Sequence, residues 1–196
     1  FYMLGAYLGL SIAQVAGFWW GLVLAPLVVG GLGAAFERWV LRRVHPSGHV
    51  AELLVTFGLG YVVLELVQLI WGRQALNFPL PESLRGPLFT VVDLPSSLRL
   101  TWGGAPPVCK SVEGAVCAQF TQFRAFGMGV AVLMLLALAW TLKRTRIGLV
   151  IQAALTHPDM AQALGHDVPR VRMAVFAGGT ALAALAGVIG GALRVT

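Results

Sequence analysis

Few residues in this chain can do chemistry, and their spacing limits what they can do. The only lysines are Lys110 and Lys143, following Cys109 and Leu142. No glycine-rich phosphate loop ending in Gly-Lys-Ser/Thr can therefore be written. "GGLGAAF" at 30–36 has the glycines of a loose dinucleotide fingerprint. It lies inside an apolar run rather than after a soluble strand, which makes it a packing feature. His45 and His49 stand four apart, but Pro46 and Gly48 between them spoil a helical metal pair. His157 and His166 have no acidic or cysteine cluster around them. No Ser/His/Asp or His-Glu-x-x-His arrangement can be assembled, so neither enzyme activity nor a metal site is expected.

Three polar features remain. Glu65 and Gln68 lie three apart on one helical face inside an apolar run. A carboxylate near a bilayer centre costs about 2.5–3.5 kcal/mol on insertion scales, so such a residue faces a bundle interior, a partner or a watery path. A structural tie to another helix and a place on a translocation path are both open. Cys109 and Cys117, the only cysteines, sit eight apart in a Pro- and Gly-containing stretch. In an oxidising compartment they can close a disulfide, and two unpaired thiols are the alternative. Glu52 falls in the first turn of its helix, where negative charge suits the dipole.

The elements that position these groups are membrane helices. The chain is 58% hydrophobic and 11% charged, unlike an ordinary soluble domain. Phe1 to Phe36 carries no charge. As one helix it would be about 54 Å long, against a hydrocarbon core of ~30 Å. It must break, and "GFWWG" at 17–21 is the expected place. Spans are expected near 1–16, 19–37, 50–71, 125–142 and 174–193, five in all. No charged leader precedes them and Phe1 already sits inside an apolar run, so the chain reads as an internal piece of a longer protein.

Charge orients the spans. Arg38, Arg42 and Arg43 crowd 38–49, and Lys143, Arg144, Arg146, Arg170 and Arg172 crowd 143–173. Positive charge near span ends marks the cytoplasmic side. Residues 72–124, where Glu82, Asp93 and Glu113 offset the basic groups, are then an extracytoplasmic segment with β-like runs "LFTVVDL" and "SLRLTW". The net charge of +6 follows from this topology, and no basic, aromatic-bearing soluble face suggests nucleic acid. Gly179, Ala183, Gly187 and Gly191 repeat every four residues along the last span, and Gly5 and Gly9 do so in the first. Such stripes let helix backbones approach closely.

The segment 143–173 is more than a connector. Ile147, Val150, Ile151, Ala154 and Leu155 have amphipathic-helix spacing. In "THPD", Thr156 is the expected N-cap, with Asp159 three later and Pro158 in the first turn. Met160, Ala161 and Leu164 give the next helix an apolar side, and Gly165 supplies a stop.

These residues carry a resemblance. "RTRIGLVIQAALTHPDMAQALGHDVPRVRMAVFAGGTALAALAGVIGGAL" at 144–193 closely resembles the permease subunit of bacterial branched-chain amino acid ABC transporters. "YMLGAYLGL" at 2–10, "AFERWVLRRV" at 35–44 and "AELLVTFGLGYVVLELVQLIWG" at 51–72 look like further segments of that family, in the same order. The resemblance covers most of the chain except about 73–124.

It implies an all-α polytopic membrane helix bundle in a multi-pass bacterial inner-membrane protein, forming a single permease domain over 1–196. The implied activity is ATP-driven import of branched-chain or related hydrophobic amino acids. Urea or short amides are alternative cargoes, and an ion-gradient-driven transporter or channel is the alternative class. No cofactor is implied in this chain, because ATP would bind a separate cytoplasmic subunit. The other implied partners are a second permease subunit, a periplasmic solute-binding protein and membrane lipid. By position, coupling to the ATPase falls to Arg146, Gly148, Ala153, Ala154, Asp159, Ala161, Leu164 and Gly165.

Overall fold

The computed structural model describes residues 1–45, 48–72, 86–94, 97–102, 116–165 and 167–193. They divide into two compact units, residues 1–79 with 134–196, and residues 80–133. The charge-free N-terminal run forms α1 (Tyr2–Ala16) and α2 (Phe18–Phe36). The break between them is Gly17 alone, at a φ of 94°, which side-chain-bearing residues rarely adopt. The expected end of α2 near 37 is not where the helix stops. It continues through a π turn at Glu37–Leu41 into α3 (Arg42–Val44). The Arg42 amide donates to the Glu37 carbonyl, five residues back. Arg38, Arg42 and Arg43 therefore stand on a helical extension, because no breaker intervenes before Pro46.

Next come α4 (His49–Trp71), α5 (Gln122–Arg144), α6 (Arg146–Thr156), α7 (Pro158–Ala163) and α8 (Val168–Leu193). Four helical stretches are long and apolar enough to cross a membrane: Phe18–Val44, Val50–Trp71, Gln122–Arg144 and Val168–Leu193. Tyr2–Ala16, the expected first of five spans, is apolar but has 15 residues, fewer than the ~20 of a usual span. The membrane part is an all-α polytopic helix bundle. α8 begins six residues before the expected 174 because Asp167 caps it. Asp167 Oδ1 accepts from the Arg170 amide at 3.2 Å, and Pro169 occupies the first turn.

Within the first unit, α1, α2 and α8 pack on one another through small residues. A Cβ on Gly187 would strike the Tyr2 carbonyl, and one on Gly5 the backbone of Ala184. On Gly191 it would lie 3.1 Å from Ala6 Cβ, and on Gly30 3.2 Å from the Ala177 carbonyl. Gly33 faces Thr180, and Gly21 lies against the Gly9 carbonyl. Gly179 stands outside this contact, since a Cβ there would meet nothing within 4 Å. The reason is helical drift: each four-residue step turns by about 40°, which puts Gly179 about 120° from Gly191. Ala183 is half-buried, and its neighbour Ala184 is the fully buried member. α4 joins α1 through a polar contact, with Trp71 Nε1 donating to Ser11 Oγ at 2.9 Å and the Trp71 ring 5.7 Å from Tyr7.

The second unit holds a three-stranded antiparallel sheet of β1 (Pro87–Leu94), β2 (Ser97–Trp102) and β3 (Val116–Thr121), in the order β2-β1-β3. The two β-like runs seen in the sequence are β1 and β2. Phe89 pairs with Phe120 across the ladder, their rings stacked at 4.9 Å. Cys117 lies on β3 opposite Val92. Cys109 falls outside the described residues, and the Cys109–Cys117 pairing with it.

The α1–α8 contact predicts that Gly187→Leu destabilises the detergent-solubilised protein by at least the ~1–3 kcal/mol of an overpacked site. Gly179→Leu should leave thermal denaturation unchanged. Equal losses from the two would show that backbone approach at Gly187 is not what holds these helices.

Candidate functional site

The segment 145–165, expected from the sequence to couple, is built by two sharp turns and one small apolar cluster. Thr145 caps α6, its Oγ1 accepting from the Gly148 amide at 3.2 Å while donating to the Thr141 carbonyl. Gly148 is buried where α5 turns into α6, and a Cβ would strike the Thr141 and Leu142 carbonyls. Only glycine lets α6 pass so close to the end of α5. Gln152 adds a side-chain bond, Nε2 to the Leu142 carbonyl at 3.3 Å.

The N-cap expected at Thr156 lies one residue later. Thr156 remains the last residue of α6, its hydroxyl bonding back to the Gln152 carbonyl at 2.8 Å. His157, with φ −136° and ψ 75°, is the N-cap of α7 and makes no side-chain cap bond. Pro158 explains the shift, because a residue preceding proline is pushed out of the helical region. At the other end Gly165 takes a φ of 85° and its amide reaches the Gln162 carbonyl at 3.0 Å, closing α7 as a left-handed stop.

The eight residues expected to couple divide by burial. Gly148, Ala154 and Ala161 are buried, and Ala154 and Ala161 form a cluster with Val168, flanked by Val171. Ala154 and Ala161 hold α6 and α7 onto the start of α8. Arg146, Ala153, Asp159, Leu164 and Gly165 are exposed. They are joined by Ile147, Leu149, Leu155 and Met160, and Leu164 itself is 80% exposed. Of the expected apolar stripe, Ala154 is buried and Val150 and Ile151 are half-buried, while Ile147 and Leu155 are exposed.

Beside α6 lies a cavity of about 560 Å³. Glu37 and Leu41 of the π turn form one side, and Ile151, Ala154 and Leu155 of α6 another. His45, Glu52 and the first turns of α8 complete it. His45 Nδ1 lies 3.4 Å from Glu52 Oε2, bridging the ends of α3 and α4. Glu37 is only 4% exposed, and its carboxylate has no hydrogen bond or ion pair among the described residues. A smaller recess of about 260 Å³ on the other side of Glu37 is bordered by Arg38, Arg42, Asp167 and Arg170. There Arg170 Nε and Asp167 Oδ2 pair at 2.8 Å.

Glu37 belongs to no site motif in the sequence, although it is the first charge after a charge-free run of 36 residues. Glu65, by contrast, is exposed in a shallow groove on α4 with Leu66, Gln68 and Leu69. It makes no tie to another helix among the described residues. Trp71 and Ser11 make a tie that the sequence did not announce. No group of three or more His, Cys, Asp or Glu able to hold a metal occurs among the described residues.

This construction predicts that Gly148→Ala, which must push α6 off the end of α5, exposes 145–165 to limited proteolysis. Thr145→Ala should cost about 0.5–2 kcal/mol, the usual loss of a helix cap. Wild-type protease resistance in Gly148→Ala would refute the tight α5–α6 turn.

Compared with known families, residues 1–195 match the family model described as branched-chain amino acid transport system / permease component. No curated protein and no solved structure matches the chain.

Proposed function

The chain belongs to the family of branched-chain amino acid transport permease components, and from that premise we propose that it is the membrane-spanning subunit of an ATP-driven importer of branched-chain or related hydrophobic amino acids. It works in the bacterial inner membrane beside a second permease subunit. A cytoplasmic ATP-binding subunit supplies the energy, and a periplasmic solute-binding protein delivers the cargo.

The observation that carries this reading is the two-sided character of α6 and α7. Their inner side is fastened to α8 through Ala154, Ala161 and Val168. Their outer side presents Leu149, Met160 and Leu164 beside Arg146 and Asp159. Exposed apolar side chains on short capped helices suit insertion into a cleft of another protein. This chain has no lysine placed for a phosphate loop, so nucleotide binding belongs to that other protein.

Force applied to α6 and α7 has two outlets. One is α5, reached through the Thr145–Gly148 turn, and the other is α8, reached through the alanine cluster and the Asp167 cap. Because α8 is packed along α1 and α2, pulling on its first turns tilts the three together. Tilting of packed units around a central path is the elementary motion of alternating access.

Asp159→Lys and Leu164→Asp alter only the exposed side, so both variants should fold with wild-type thermal stability. In the assembled transporter each should lower transport-coupled ATP hydrolysis by about tenfold or more, the effect of losing ~1.4 kcal/mol or more of binding energy. Unchanged complex formation together with unchanged stimulated hydrolysis in both variants would rule out coupling through this surface.

A further inference from the structure

The cavity beside α6 has a chemical character that its neighbours do not use up. Of its four polar residues, His45 and Glu52 face each other at 3.4 Å. The other two are Glu37 and Arg172. Neither has an ion-pair partner among the described residues. The cavity therefore offers one free carboxylate, on a residue that is otherwise buried, and one free guanidinium. No fully buried side-chain N or O atom among the described residues lacks a partner, so the Glu37 carboxylate oxygens reach the open cavity, where a bound cation can pair with them.

The rest of the wall is apolar. Ile151 and Leu155 come from α6, and Val175 and Phe176 from α8. Phe176 is steadied from behind by ring contacts to Phe1 at 6.1 Å and Phe36 at 6.3 Å. The volume of about 560 Å³ lies within the ~300–1,000 Å³ usual for small-molecule sites.

We propose that this cavity binds a free hydrophobic α-amino acid as its zwitterion, with the ammonium on Glu37, the carboxylate on Arg172 and the side chain against Val175 and Phe176. The assignment follows from complementarity. A simple anion would satisfy Arg172 and repel Glu37, and a simple amine would do the reverse. Only a ligand carrying both charges and an apolar branch uses every free group at once. The proposal rests on the transport reading, which supplies the ligand class, and it adds a site inside this subunit that is separate from the periplasmic binding protein. One wall of that site is the helix on which the ATPase is proposed to dock.

The test is equilibrium binding of L-leucine to the assembled permease–ATPase complex in nanodiscs, without nucleotide or solute-binding protein. Three ligands separate the contacts: L-leucine, 4-methylpentanoate, which lacks the ammonium, and 3-methylbutylamine, which lacks the carboxylate. Wild type should bind leucine saturably and each analogue about tenfold or more weaker, the worth of one charge-assisted hydrogen bond.

Glu37→Gln should lose leucine affinity and its preference for leucine over 4-methylpentanoate. Arg172→Gln should lose affinity and its preference over 3-methylbutylamine. A merely structural role would weaken all three ligands together. Absence of saturable leucine binding in the millimolar range, or equal affinity of wild type and both variants, overturns the site. Leucine uptake by the full transporter, measured in parallel, keeps the two readings apart. Uptake without binding here removes the cavity and leaves the transporter, whereas no uptake removes the transport reading itself.

Discussion

The structure depends on the close approach of three helix backbones. Membrane helices gain little from hydrophobic burial against one another, since lipid tails are equally apolar. Association must come from dense van der Waals contact, which requires that side chains be absent where the backbones meet. Gly5, Gly187 and Gly191 meet this need between α1 and α8, and Gly30 and Gly33 meet it between α2 and α8. α8 is thus the common member. It also carries the Asp167 cap, the alanine-cluster anchor and one wall of the cavity. Whatever acts on its first turns acts on a helix already committed to two neighbours.

The other membrane helices have the opposite character. α4 and α5 leave almost their whole apolar surface exposed, with Leu54, Phe57 and Leu69 on α4 and Leu133, Leu135 and Trp140 on α5 each more than half exposed. Faces like these suit hydrocarbon or another membrane subunit. Glu65 on α4 is then a carboxylate turned toward whatever covers that face. Trp71, whose indole nitrogen is spent on Ser11, is the point at which α4 is fastened to α1.

Much of this was legible in the sequence, because membrane burial writes a coarse signal. Charge-free runs located the long helices, and the break near Gly17 followed from a length no bilayer accommodates. The family was readable in 144–193, where capping, stop and small-residue features crowd together. Local rules failed where two of them competed. Thr156 had cap chemistry, but Pro158 dictated the backbone of His157 instead. Asp167 followed by Pro169 is a cap signal that the stronger apolar run starting near 174 outweighs. That Ala154 and Ala161 would be covered by α8 was not readable, because apolar spacing does not say which side of a short helix its own chain will cover. Glu37 was missed for a different reason, since no sequence pattern distinguishes a π turn from an α turn.

That π turn gives the end of α2 a property beyond holding Glu37. Gly33, Glu37 and Leu41 are all buried, although steps of four residues would carry them about 40° apart each time on an α-helix. A turn closed over five residues absorbs one residue more than its neighbours and brings the three back to one side. The surplus residue is a phase slip stored in an otherwise continuous helix. Passing it up or down the helix exchanges one backbone hydrogen bond for another. It turns the segment it crosses by about 100° without breaking the span. Arg42, whose amide closes that turn on the Glu37 carbonyl, therefore stands on a helix end rotated by the surplus residue relative to an uninterrupted α-helix.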